Sequence, residues 1–124
     1  MDYDALIKRI QAAGEFPDRD HARVAAEAVL SVLGERLAGH EPADFAAQLP
    51  PELAMALPLE GGRQTFGVEE FDRRVAEREG RGCSLARAHA HAIAVMQSVL
   101  EAVTPGERDD VAAQLPAELV DLKP

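Results

Sequence analysis

Eight residues of this chain occur twice. Ala46-Ala47-Gln48-Leu49-Pro50-Pro51-Glu52-Leu53 returns 66 positions later as Ala112-Ala113-Gln114-Leu115-Pro116-Ala117-Glu118-Leu119, and seven of the eight residues match. The same shift carried backwards pairs Ala22 with Ala88, Ala26 with Ala92, Val29 with Val95, Glu35 with Glu101 and Asp44 with Asp110. Upstream of these a slip of two positions pairs Tyr3-Asp4 with Phe71-Asp72. A repeat at this period predicts one helical unit built twice, its apolar faces covered by the neighbouring copy. The expectation is an all-α fold of two tandem three-helix units packed into one helical domain: residues 1–56, a linker at 57–67, and residues 68–124.

Helix limits follow from capping chemistry. Asp2 can accept the free N–H groups of a helix running to about Ala13 and ended by Gly14, with Tyr3, Leu6, Ile7 and Ile10 on one face. Pro17-Asp18 opens a second helix to about Ala38, ended by Gly39, and its counterpart starts at Ser84, which aligns with Asp18. Gly67-Val68-Glu69-Glu70 opens the first helix of the second unit, and Gly80 and Gly82 end it. Its Glu69/Arg73, Glu70/Arg74 and Arg73/Glu77 pairs fall at i,i+4, which predicts a solvated charged face.

The repeated motif is the third helix. In the second unit Thr104 and Glu107 have capping-box spacing around Pro105. Pro50 and Pro116 then stop the helix, because a proline inside it loses a hydrogen bond and clashes with the preceding turn. Gln-Leu-Pro therefore predicts a corner with Leu49 and Leu115 buried and a short turn carrying Leu53 or Leu119 inward. In the linker, Gly61-Gly62 predicts flexibility, with Pro58, Leu59 and Phe66 as tethers.

The residues just described resemble the bacterial domain of unknown function 2267. The resemblance rests on two aromatic-Asp helix starts, two Ala-rich middle helices, two Ala-Gln-Leu-Pro-x-Glu-Leu endings and the junction Phe66-Gly67-Val68-Glu69-Glu70-Phe71. It covers nearly the whole chain. It implies an all-α tandem-repeat protein and carries over no activity, cofactor or catalytic residue. One departure is Asp72-Arg73, where a more apolar continuation after Phe71 would be usual.

Composition narrows the functional classes. Thirteen Lys and Arg against 22 Asp and Glu leave a net charge of −9, which repels phosphate backbones and anionic lipid, so neither nucleic acid nor membrane is an expected partner. The start Met1-Asp2-Tyr3-Asp4 lacks the basic flank of a signal peptide, and no uncharged apolar run approaches the roughly 20 residues of a membrane span. A cytoplasmic protein is expected. Cys83 is the single cysteine, which excludes an internal disulfide and argues against a thiolate metal site.

The best candidates for chemistry are His89 and His91. Two positions apart on a helix they point about 200° from one another, so both cannot hold one metal, and neither has an Asp, Glu or Cys four residues away. No metal or cofactor is expected. The acidic residues at Glu15, Asp18 and Asp20, and at Asp109 and Asp110, sit in or near first helical turns, where the helix dipole favours them. Gly61-Gly62-Arg63 lacks the Lys-Ser/Thr of a phosphate loop.

Two functions remain. One is an interaction or structural module without catalytic activity, working through a protein partner or self-association. The other is a small-molecule-binding protein or enzyme with a pocket between the units, where Arg23 and His89, at equivalent positions, would face each other. The middle helix of the second unit adds a candidate surface. Leu85, Ala88, Val95, Met96, Val99 and Val103 form its core stripe, yet Ala90 and Ala94 occupy the face that should be wet. From Ala88 to Leu100 there is no Asp, Glu, Lys or Arg. A helix apolar on all sides is covered on all sides, here by the first unit or by a second copy of the chain.

Overall fold

Three of the four long helices begin where a capping side chain precedes an apolar period. The computed structural model describes residues 1–120, which hold eight helices and no strand. Helix α1 (Tyr3–Gly14) starts at Asp2, whose carboxylate accepts the Ala5 N–H at 2.8 Å. Asp18 does the same for His21 at 2.9 Å to open α2 (Arg19–Arg36), and Ser84 for Arg87 at 3.2 Å to open α6 (Leu85–Ala102). Helix α5 (Val68–Glu79) begins at Gly67 without a side-chain cap and ends at Gly80 in the left-handed region. The order is completed by α3 (Glu41–Ala46), α4 (Pro51–Ala54), α7 (Pro105–Ala112) and α8 (Ala117–Val120). The turns expected after Pro50 and Pro116 are thus short helices, and they carry Leu53 and Leu119 inward to full burial.

The long helices pack crosswise. Helices α2 and α6 touch along the middle of the molecule; α1 lies against α6 as well as α2, and α5 against α2 as well as α6. Leu6, Ile7 and Ile10 from α1 and Phe71 and Val75 from α5 enter the same core as Val29, Leu33, Val95 and Val99. Helix α3 meets α7, and α8 covers α6. Leu49 and Leu115 are buried, 6% and 8% exposed, as the corner reading requires.

The motif glutamines complete the corners. Gln48 Oε1 accepts the Thr104 N–H at 2.8 Å, and Gln114 Oε1 accepts the Ala38 N–H at 2.8 Å. Donors 38 and 104 and acceptors 48 and 114 are each 66 positions apart, so one repeated residue satisfies one repeated orphan donor just past each central helix. This also corrects the capping box at α7. Thr104 Oγ1 accepts the Glu107 N–H at 3.3 Å, but the Thr104 N–H goes to Gln48, and Glu107 turns into the interior at 7% exposure.

Four further expectations are corrected. Helix α1 takes in Gly14 rather than ending before it, Glu15 makes the left-handed turn at φ +53°, and a Cβ on Gly14 would stand 2.3 Å from the Phe16 ring. Gly61 and Gly62 provide close approach rather than flexibility. A Cβ on either would lie 2.6 Å from a carbonyl oxygen of α2's end, and the Gly62, Arg63 and Gln64 N–H groups bond to Gly34, Leu37 and Glu35 carbonyls at 3.1–3.3 Å. Leu59 does not tether the linker, being 58% exposed, while Phe66 packs on Phe71 beneath the Arg74 guanidinium, 4.0 Å above its ring. The charged face of α5 is not simply solvated. Arg74 reaches Glu70 at 2.7 Å and Glu35 of α2 at 2.8 Å, and Arg78 reaches the same Glu35 at 2.5 Å, so the pairs join two helices.

Helix α6 is enclosed by α1, α2, α5 and α8. Ala94 is accordingly buried, at 3% exposure, within a single chain, whereas Ala90 is exposed. Leu85 departs from the expected core stripe, at 56% exposure, because it occupies the first position of the helix, a turn before Ala88 enters the core.

Candidate functional site

Helix α6 directs its two histidines to two carboxylates of α5. His89 Nδ1 lies 2.8 Å from Asp72 Oδ2, and His91 Nδ1 lies 2.8 Å from Glu79 Oε1. Asp72 is thus a buried polar residue with a partner, which explains how the chain tolerates it after Phe71. Burial pushes its carboxyl above the ordinary range, against the opposing pull of the His89 contact, and its buried Oδ1 has no hydrogen-bond partner among the described residues. The His91 pair is the more enclosed, with side chains 17% and 10% exposed.

A third donor joins His91 and Glu79. The chain leaves α5 through Gly80, Arg81 and Gly82, all at positive φ, and the Cys83 N–H returns to the Gly80 carbonyl at 3.0 Å. One ligand atom each from Glu79, Cys83 and His91 then lie within 4.8 Å of one another. Burial and the adjacent Glu79 carboxylate hold the thiol up to about 11. The three donors border a cleft of about 380 Å³ walled also by Phe16, His21 and Ala90, and the Phe16 ring stands 4.5 Å from that of His91.

Sequence reasoning singled out His91 and missed its partners. It sought donors at helical spacing, and the donors come instead from the end of the preceding helix and from a turn. The available signal was Gly80-Arg81-Gly82, a segment able to reverse the chain tightly enough to bring Cys83 back beside Glu79.

The other expected pairing is absent among the described residues. Arg23 bonds to Asp20 at 2.7 Å and Glu27 at 3.1 Å on its own helix, with its side chain 41% exposed, while His89 is taken by Asp72. The two equivalent positions have different partners. Ala90 lines the cleft beside His91, and Ala94 belongs to the core.

A separate surface is apolar. Ala43, Ala46, Ala47 and Ala54 floor a shallow groove between α3 and α4, with Met55 86% and Leu59 58% exposed along it. Its lining among the described residues holds no charged side chain. No helix among the described residues is long and apolar enough to cross a membrane.

No curated protein matches the chain at a significant level. A family model does, over residues 3–122, and its span takes in both Gln-Leu-Pro corners, the four long helices and the cleft. The chain belongs to the family described as uncharacterized conserved protein (DUF2267).

Proposed function

We propose that this protein is a cytoplasmic helical interaction module without catalytic activity, and that its contact face is the α3–α4 groove, which takes a second copy of the chain. The observation that supports this is the clustering of exposed apolar side chains. Two of the four large hydrophobic residues exposed among the described residues, Met55 and Leu59, border one uncharged groove. Apolar surface gathered in this way is stabilised by removal from water and marks a contact site. A chain of net charge −9 is repelled by its own copies at long range, so a neutral face is where two copies approach at the least electrostatic cost. Projecting side chains and an alanine-floored hollow on one patch suit a two-fold interface, where each copy supplies knob and hollow to the other.

Light scattering after size exclusion tests the reading. At about 100 μM, a micromolar dimer gives twice the 13.3 kDa chain mass. Met55→Glu, at a position too exposed to affect folding, returns it to one chain. A parent protein that stays at 13.3 kDa at this concentration overturns the proposal.

A further inference from the structure

We propose that Glu79, Cys83 and His91 form a binding site for one divalent transition-metal ion of the zinc class, held by a single chain with its remaining coordination position open to the cleft. The donor set is one carboxylate oxygen, one sulfur and one imidazole nitrogen. Borderline-soft ions prefer such a mixture, whereas calcium and magnesium take oxygen ligands alone. A carboxylate and a thiolate together balance a dication. Tetrahedral bonds of about 2.0–2.3 Å separate neighbouring ligand atoms by roughly 3.3–3.8 Å. The three atoms here already lie within 4.8 Å, so side-chain rotation of about an ångström closes the site.

The surroundings fit an ion. Glu79 and His91 are largely buried, and Phe16 against the imidazole limits water on one side. His21 lines the same cleft. Two arginines also line it. Arg81 is drawn to Asp20 at 2.9 Å, which takes up its charge.

The repeat supplies an independent argument. Sixty-six positions earlier, Cys83 and His91 correspond to Pro17 and Ala25, and across the two-residue slip Glu79 corresponds to Gln11. The first half of the chain folds into helices of the same lengths, 12 and 18 residues, without any of these donors. The fold therefore does not need a Glu, a Cys and a His here for packing, yet all three stand together in one half only.

The test is a titration of the full chain with Zn²⁺ by calorimetry and with Co²⁺ by absorption. One ion per chain is expected, with the sulfur-to-cobalt charge-transfer band of a bound thiolate. Cys83→Ser, which changes one atom, abolishes that band, and His91→Ala weakens Zn²⁺ by more than the roughly 10–100-fold that loss of a merely supporting residue causes. His40→Ala, far from the cleft in sequence and absent from its lining, leaves both unchanged. Circular dichroism establishes that each variant is folded; where His91→Ala is not, Cys83→Ser decides alone. Zn²⁺ binding of parental strength in folded Cys83→Ser, a cobalt spectrum without the thiolate band, or one ion shared by two chains would overturn the site.

Discussion

Substituting Glu107 by Gln should stabilise this protein at neutral pH. Glu107 is 7% exposed at the start of α7, and among the described residues neither its Oε2 nor Glu41 Oε1 at the start of α3 has a hydrogen-bond partner. The two residues are 66 positions apart, so the contact of α3 with α7 brings one repeated carboxylate against the other. Burial first, then Glu41, push the Glu107 carboxyl up to about 8, with Asp44 and Asp110 adding in the same direction. A proton shared between the carboxylates satisfies both orphaned oxygens. An acid raised in the folded state stabilises the fold fully below its unfolded value of 4.5, and that contribution is lost as pH rises from there towards 8. At pH 7 the loss spans about 2.5 pH units, roughly 3 kcal/mol at 1.36 kcal/mol per unit. Because the proton belongs to the pair and water reaches part of it, Gln should recover about 1–2 kcal/mol, or roughly 3–8 °C in Tm. Thermal melts from pH 5 to 8 should show the parent losing stability and Glu107→Gln much less so. Equal melting temperatures at pH 8, or a gap independent of pH, would refute the shared proton.

Other expectations are checked by chemical denaturation. Leu49→Ala and Leu115→Ala should each cost about 2–5 kcal/mol, the range for a buried leucine; an unchanged midpoint would place them at the surface. Gln48→Ala and Gln114→Ala should each cost about 0.5–1.5 kcal/mol through a lost bond to an N–H that secondary structure leaves unpaired, and no loss in either would mean that water substitutes fully. Gly61→Ala should destabilise by about 1–3 kcal/mol because its Cβ meets the Leu37 carbonyl at 2.6 Å; a gain would restore the flexible-linker reading. Ala94→Arg should prevent folding, since the residue is 3% exposed inside one chain; a folded variant would show that the α6 surface opens.

The fold was legible because helices announce themselves locally. Asp2, Asp18, Ser84 and Thr104 all cap where their chemistry suggests, and the prolines after Leu49 and Leu115 stop the helices they follow. What was not legible depends on distant chain segments meeting. Gly14, Gly61 and Gly62 read as turn or linker glycines, yet each is small because a ring or a carbonyl presses on it. Glu107 read as the closing half of a capping box, yet Gln48 arrives from the other half of the chain and takes the N–H it would have bonded. His91 read as isolated for the same reason: its neighbours are set by how α5 and α6 cross.

The two halves diverge where the repeat permits it. Positions that must satisfy the backbone or fill the core recur: the corner glutamines, the leucines beside the prolines, and the buried alanines Ala22 and Ala26 of α2 with Ala88 and Ala92 of α6. Glu41 and Glu107 recur although their contact is electrostatically unfavourable, which places a proton-dependent weakness where α3 meets α7. The cleft residues do not recur, since Gln11, Pro17 and Ala25 stand where the second half has Glu79, Cys83 and His91. Contacts that join neighbouring helices, such as Asp72 with His89, can also stand in one half alone. Glu79, Cys83 and His91 go further by gathering three different donor types at one cleft, which a ligand accounts for where an ion pair uses only two of them.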